Sequence, residues 1–125
     1  MPENGNFMPL PPKFRRRGIE DFVRITDARM SGGCFGTQVL HVTPESAVGG
    51  PLAAVRDGDM IRLDVEAGIL ELEVPEEEIQ RRLADFQPQN HPEIRRGFLR
   101  NFIDTVTQAD EGCDLTYLQR EGKEA

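Results

Sequence analysis

The sequence predicts one mixed α/β domain in which strands occupy the middle of the chain and helices lie near its C-terminal end. Apolar and charged side chains alternate through residues 61–74, the pattern of strands with one face in the core and one in water. Helical periodicity follows Pro75 and returns after residue 92. A chain of 125 residues, of which 38% are hydrophobic, is long enough to bury a modest core as a single domain.

The first part of the chain predicts an arm and two strands. Residues 1–12 contain four prolines and are expected to form an extended arm, and a short helical turn at 13–17 is closed by a glycine. Residues 13–125 then form the single domain. The apolar runs 20–26 and 38–43 are predicted strands on either side of a glycine-rich loop, and their adjacent apolar positions suit strands that are covered on both faces.

The middle of the chain predicts short elements that lead into a hairpin. A helical turn is expected at 44–47 with Thr43 as its cap, followed by a short strand at 52–55. The Asp-Gly pair at 57–58 is a strong turn signal. The alternating residues 61–74 then form a hairpin, in which Ile61, Leu63, Val65, Leu70, Leu72 and Val74 face the core.

Two helices are predicted in the C-terminal half. Pro75 starts the first, and three glutamates follow it near the positive end of the helix dipole. The second runs from about residue 92 to residue 110. The apolar stripes of the two helices are Ile79, Leu83 and Phe86, and Phe98, Phe102 and Val106.

Composition argues against several classes of function. The net charge of −7, with a single basic cluster at 13–17, argues against a nucleic-acid partner. No apolar segment approaches the roughly 20 residues that span a bilayer, and no secretory signal is evident, so no membrane partner is expected. Cys34 and Cys113 lie far apart without metal-binding spacing, which indicates free thiols and a cytoplasmic location.

Residues 25–37 are the most informative segment for function. An apolar run ends there in a charged corner, and three glycines surround Ser31. Glycine permits positive φ and close approach of another group, so this hydroxyl is a candidate contact to a ligand or metal. An ordinary tight connection between strands is the competing interpretation. His41 is expected to be a hydrogen-bonded core residue and His91 an exposed one, so a hydrolase triad is not favoured.

Several motifs follow one another along nearly the whole chain. They are Met-Pro-Glu-Asn-Gly-Asn at 1–6, Asp-Ala-Arg-Met-Ser-Gly at 27–32, Phe-Gly-Thr at 35–37, Val-Leu-His-Val-Thr-Pro-Glu at 39–45, Gly-Gly-Pro-Leu-Ala at 49–53, Val-Arg-Asp-Gly-Asp at 55–59, Ile-Arg-Leu-Asp at 61–64, Gln-Ala-Asp at 108–110 and Gly-Cys-Asp at 112–114. Together they resemble the C-terminal domain of the dihydroxy-acid, phosphogluconate and sugar-acid dehydratases. The Ala-Arg-Met at 28–30 is more similar to the sugar-acid members, although Gly33 stands where many of these carry a threonine.

The resemblance implies both a fold and a reaction. The fold is a swivelling β/β/α domain, a compact mixed sheet that curls toward a barrel. The reaction is the dehydration of sugar acids or dihydroxy acids to 2-keto-3-deoxy acids, in which Ser31 is the catalytic base that takes the proton next to the substrate carboxylate. An iron–sulfur cluster and Mg²⁺ are the implied cofactors, and Glu3 is the implied magnesium ligand.

The resemblance also implies a partner for this chain. The family's cluster cysteines lie in its N-terminal domain, and two cysteines cannot build a cluster here. The N-terminal domain is therefore expected in the same polypeptide or as a separate chain, and the isolated 125 residues are expected to be inactive. The alternative is a truncated, non-catalytic remnant that acts as an interaction or small-ligand-binding module, whose exposed docking face could drive homo-oligomer formation.

Overall fold

The computed structural model describes residues 11–30, 36–87 and 91–119, which divide into two compact units. We call them the N/C unit, with the described residues of 11–43 and 91–119, and the middle unit, residues 44–87. The fold is mixed α/β, with two two-stranded sheets and short helices. The described residues form no closed barrel and do not confirm a curled sheet.

The N/C unit begins with a short helix and a parallel strand pair. Helix α1 (Pro12–Arg15) is the predicted helical turn. Strands β1 (Arg24–Ile25) and β2 (Gln38–Val39) are paired in parallel, with Arg24 opposite Gln38. Parallel neighbours are joined by a crossover connection and not by a tight hairpin turn.

Both strands are shorter than the runs 20–26 and 38–43, because the ladder is interrupted at each end. Before β2, the Thr37 N–H donates to the Asp21 carboxylate, with both oxygens at 3.3 Å. In a continued ladder it would donate to a main-chain carbonyl of the neighbouring strand. After β2, the Thr26 carbonyl accepts a hydrogen bond from Val42 N, at 3.2 Å, where a regular parallel ladder would use His41 N. One extra residue therefore enters the second strand, which is a β-bulge.

The last helix of the N/C unit is much shorter than the predicted 92–110. Helix α3 (Phe98–Thr105) follows Gly97, whose φ of 84° is not helical. At the other end Val106 is extended and forms an antiparallel bridge with Leu115. Val106 is therefore not helical and does not belong to the predicted apolar stripe of the helix. Two 3₁₀ turns complete the unit, Ala109–Glu111 and Thr116–Leu118.

The middle unit contains the predicted hairpin. Strands β3 (Ile61–Asp64) and β4 (Ile69–Leu72) are antiparallel, and their register places Leu63 opposite Leu70. The alternation of apolar and charged residues is thereby confirmed as the pattern of this hairpin. Two of the residues predicted to face the core are exposed: Val65 lies in the connecting turn and is 80% exposed, and Leu70 of β4 is 39% exposed.

Helix α2 (Glu76–Ala84) also confirms its prediction, with Pro75 at the N-cap and three glutamates in the first turn. The glutamates stabilise the positive end of the helix dipole, and Arg81 and Arg82 lie at its negative end. Of the predicted stripe, Phe86 lies beyond the last helical residue. Within the described segments, no helix has both the length and the apolar character needed to cross a bilayer.

Two predicted elements of the middle unit are wrong. The chain forms a 3₁₀ turn at Pro51–Ala54 in place of the strand at 52–55, because Pro51 fixes a helical φ at the first position of the turn. The preceding turn is also 3₁₀, Ser46–Val48, and its N-cap residue is Glu45 rather than Thr43.

Candidate active site

The two residues that the resemblance assigns to the site, Ser31 and Glu3, lie outside the described residues, as does Cys34. The chain is described up to Met30 and again from Gly36. We call residues 31–35 the Ser31 segment. The observable geometry is that of the residues that lead into this segment and out of it.

Arg29 anchors the residues that lead into the Ser31 segment. Its side chain is buried, with 7% of its surface exposed, and its Nη2 donates a hydrogen bond to the Thr107 carbonyl at 2.8 Å. The guanidinium carbon lies 5.5 Å from the centre of the Phe102 ring, within the range of a cation–π contact. A charged hydrogen bond and an aromatic face therefore hold Arg29 against the C-terminal part of the N/C unit.

The acceptor of this bond is itself fixed. Thr107 N donates to the Asp114 carbonyl at 2.8 Å, and the Thr107 hydroxyl accepts from Asp114 N at 3.0 Å. The adjacent Val106–Leu115 bridge continues the same pairing. The Thr107 carbonyl is thus presented to Arg29 by a paired strand-like segment, and its direction does not depend on Arg29 alone.

Met30 is the residue immediately before Ser31, and His41 contacts its main chain. His41 Nε2 lies 2.8 Å from the Met30 carbonyl oxygen and 3.0 Å from the Met30 nitrogen. Met30 is among the most buried of the described residues, with 5% exposed. His41 is hydrogen-bonded, as expected, but the expectation of a core residue is wrong, because the residue is exposed and has a φ of 57°.

Gly36 begins the residues that lead out of the Ser31 segment. It has a φ of 88°, and a Cβ at this position would lie 1.9 Å from Asp21 Oδ1 and 2.9 Å from Arg24 Nη2. Only glycine fits here without a shift of Asp21. Asp21 also accepts from Thr37 N and lies 3.9 Å from the buried Arg24, so the exit is anchored to the start of β1.

The described residues do not provide the metal sites that the resemblance implies. Among them, no group of three or more His, Cys, Asp or Glu side chains is placed to hold a metal ion. His91 and Glu93 form an exposed pair at 3.0 Å. A hydrogen bond from its own main-chain amide and then the contact with His91 lower the pKa of Glu93. This pair alone does not provide the ligand set of a magnesium or iron–sulfur site.

The most strongly shifted carboxylate lies in the middle unit and has a structural role. Arg82 donates to Asp59 at 2.6 Å, to Glu78 at 2.7 Å and to the Ala54 carbonyl at 2.9 Å. Hydrogen bonds from Arg81 and Arg82 lower the pKa of Glu78 to about 2, and Arg82 and the Arg56 main chain lower the pKa of Asp59. These contacts join α2 to the turns before the hairpin.

The middle unit also contains a cleft of about 540 Å³ between β4, α2 and the turn at residues 49–51. Both apolar residues, among them Leu72, Ile79 and Leu83, and the charged residues Glu71 and Glu76 line it.

Sequence reasoning missed the anchors of the Ser31 segment. Arg29 and Thr107 are 78 positions apart, so no local spacing connects them. Asp21 takes the place of a strand carbonyl as the acceptor for Thr37 N, and the pattern of apolar residues does not indicate this contact. For His41 there was a signal, because a histidine inside an apolar run calls for a hydrogen-bond partner.

Comparison with known proteins identifies the family. Residues 1–113 match the family model described as dihydroxy-acid/6-phosphogluconate dehydratase C-terminal. The chain belongs to this family. As a member of the dehydratase C-terminal family it contains both the Ser31 segment and its anchors at Arg29, Met30 and Thr107 within the matched residues.

Individual relatives agree with the subgroup that the motifs indicated. The L-arabonate dehydratase of Azospirillum brasilense is 56% identical over 94% of this chain and 21% of its own length. The 6-deoxy-6-sulfo-D-gluconate dehydratase of Pseudomonas putida is 51% identical over 95% of the chain and 20% of its own length. A dihydroxy-acid dehydratase of Caldicellulosiruptor bescii is 48% identical over 78% of the chain and 17% of its own length. The chain thus spans about a fifth of the length of the curated relatives it matches.

Proposed function

We propose that this chain supplies the catalytic base, Ser31, to a hydro-lyase that dehydrates sugar acids, or dihydroxy acids, to 2-keto-3-deoxy acids. The observation that carries the proposal is the anchoring of Arg29 and Met30, the two residues directly before Ser31, within residues that match the dehydratase family. The sugar-acid preference rests on the higher identity to relatives named for sugar acids.

The chemistry explains why such anchoring matters. A serine hydroxyl is a weak base until its pKa is lowered, and a base must lie within hydrogen-bond reach of the proton it takes. In the proposed reaction Ser31 removes the proton from the carbon next to the substrate carboxylate. Arg29 and Met30, directly before Ser31 in the sequence, are held in place by their contacts, which supports the proposal that the base has a defined position.

The cofactors of the proposed reaction are held mainly outside this chain. A cluster or divalent cation supplies positive charge that stabilises an alkoxide and an enolate at neutral pH. The described residues do not fit such a group, and the proposal keeps Glu3 as the one candidate magnesium ligand of this chain. The N-terminal domain of the family is the proposed partner, either in the same polypeptide or as a separate chain. The proposed location is the cytoplasm, and the proposed fold of this domain is the family's swivelling β/β/α form.

A chimera tests this proposal. The matching segment of the Azospirillum L-arabonate dehydratase, which is 56% identical, is replaced by the full 125-residue chain. We expect the chimera to convert L-arabonate to its 2-keto-3-deoxy acid, and the 125-residue chain alone to give no turnover. Turnover by the chain alone would contradict the proposed need for a partner. A folded chimera with intact cluster absorbance but no turnover would contradict the proposed domain role.

An interaction module is the second candidate function, and exposed apolar side chains in the N/C unit favour it. Phe98 is 63% exposed and Leu99 is 48% exposed on α3, while Tyr117 and Leu118 are each 60% exposed on the last 3₁₀ turn. Asn101 Nδ2 donates to the Tyr117 hydroxyl at 3.2 Å, which places the helix and the turn side by side. Apolar surface of this kind is typical of a docking face.

Light scattering across a concentration series tests the second candidate. Self-association that weakens in Phe98→Ser, but not in the control Val65→Ser, would support a docking face on α3. Val65 is a suitable control because it is also exposed but belongs to the middle unit. A monomer at every concentration would contradict self-association through this face.

A further inference from the structure

The clearest unassigned feature near the Ser31 segment is the contact between His41 and the Met30 main chain. His41 Nε2 is 2.8 Å from the Met30 oxygen and 3.0 Å from the Met30 nitrogen. One ring nitrogen carries either a hydrogen or a lone pair, so only one of these contacts is a hydrogen bond at a time. With the hydrogen on Nδ1, Nε2 accepts from the Met30 N–H, and with the hydrogen on Nε2 it donates to the Met30 carbonyl, so in either tautomer the ring is hydrogen-bonded to the Met30 main chain.

The carbonyl of Met30 belongs to the peptide bond that joins it to Ser31. This peptide group is planar and does not rotate on the timescale of catalysis. A hydrogen bond to its oxygen therefore fixes the direction in which the chain leaves Met30. The buried Met30 side chain fixes the other side of the same residue.

The main chain of His41 is an independent observation that points the same way. His41 is the extra residue of the β-bulge after β2, since Thr26 O accepts from Val42 N instead of His41 N. Its φ of 57° is uncommon outside glycine. Bulges are frequent next to active sites, where they redirect a side chain. Glycine would adopt this φ with less strain, but it would provide no ring.

We propose that His41 is a positioning residue, whose imidazole holds the main chain of Met30, the residue directly before the proposed base Ser31. The role in catalysis rests on the proposed function of Ser31. The hydrogen bond itself does not depend on the proposed function of Ser31, and it can be tested without measuring turnover. His41 acts through Met30 and is not assigned contact with the substrate.

The first test is nuclear magnetic resonance of the full 125-residue chain. We expect the Met30 amide and carbonyl signals to move in His41→Gly, because the ring contacts both groups. The Gln variant, whose side-chain amide can both donate and accept, should keep the Met30 signals closer to those of the parent chain. His91, whose ring contacts the Glu93 carboxylate, serves as the reference ring. An unchanged Met30 signal in His41→Gly would overturn the proposal.

The second test measures turnover in the Azospirillum chimera. Loss of orientation is expected to lower kcat of His41→Gly by about tenfold or more while KM stays within about twofold. Partial recovery in His41→Gln separates positioning from a general loss of fold. The matched control is Cys113→Gly, because Cys113 is the other described non-glycine residue with positive φ, at 52°. Equal losses in His41→Gly and Cys113→Gly would overturn the positioning role.

The two proposals fail in different ways. If Ser31→Ala keeps full turnover, the proposed base is wrong, while the response of the Met30 signals to substitution of His41 is unaffected. If the Met30 signal does not respond to His41, the positioning role is wrong, whatever the result for Ser31.

Discussion

Arg29 Nη2 donates a hydrogen bond to the Thr107 carbonyl at 2.8 Å, and this contact joins two parts of the chain that are 78 residues apart. It connects the residue two positions before Ser31 with the segment that pairs Val106 and Leu115. Both Arg29 and Thr107 are buried. The approach to the Ser31 segment is therefore stabilised by the C-terminal part of the N/C unit, and the consequences can be measured.

The first prediction concerns this buried arginine. Arg29→Met should lower the free energy of unfolding by about 2 kcal/mol or more, because a charged hydrogen bond is lost and the Thr107 carbonyl is left buried without that partner. Urea unfolding followed by circular dichroism measures the change, since the chain contains no tryptophan.

Arg95 provides the matched control. It also donates to a main-chain carbonyl, that of Pro92 at 3.3 Å, but in an exposed position. Arg95→Met should change the free energy of unfolding by no more than about 0.5 kcal/mol. If the two methionine variants were equally stable, Arg29 would not be an anchor.

The second prediction concerns the close approach at Gly36. Gly36→Ala should lower the free energy of unfolding by at least about 2 kcal/mol. Two costs add up here: the cost of a left-handed φ for alanine and the cost of the steric overlap with Asp21. Gly18 also has positive φ, 72°, but nothing lies within 4 Å of the position of its Cβ. Gly18→Ala should therefore cost only about 1 kcal/mol.

A double-mutant cycle separates the two terms at Gly36. In an Asp21→Ala background the carboxylate contact is absent and only the contact with Arg24 Nη2, at 2.9 Å, remains, so the cost of Gly36→Ala should fall toward that of Gly18→Ala. Additive effects of the two substitutions would show that Asp21 does not restrict position 36.

The third prediction is a pH dependence of the middle unit. Hydrogen bonds from Arg81 and Arg82 lower the pKa of Glu78 from 4.5 to about 2 in the folded chain. The unfolded chain therefore binds more protons than the folded chain as the pH falls through this range. The stabilisation is complete above the unfolded pKa and should be lost progressively as the pH falls from about 4.5 toward 2.

Glu78→Gln should flatten this part of the pH profile of stability, measured as the urea midpoint between pH 2 and 6. Glu77→Gln is the control, because Glu77 lies in the same first turn of α2 but is exposed. A profile of Glu78→Gln with the same slope as that of Glu77→Gln would contradict the role of Glu78 in the Arg82 contacts.

The elements with strong local signals could be predicted from the sequence. The hairpin of β3 and β4 follows from strict alternation, and α2 follows from a proline and three glutamates at its start. These signals lie within a few residues of the elements they define. They are therefore independent of the rest of the fold.

The remaining elements depend on contacts that a single sequence does not display. β2 is shortened because the Asp21 carboxylate takes the Thr37 amide, and α3 is shortened because Val106 pairs with Leu115. In the same way, Ser31 was found through a family resemblance, while its anchors became visible only when residues distant in sequence were brought together.

The central claim is that the Ser31 hydroxyl is the catalytic base, and substitution of the two serines of the chain tests it most directly. In the Azospirillum chimera, Ser31→Ala should reduce kcat for L-arabonate by about 10²-fold to 10⁴-fold, the usual contribution of a general base. Ser46→Ala, the same chemical change at the other serine, should leave kcat within about twofold. A Ser31→Ala chimera that keeps the parent rate would contradict the account.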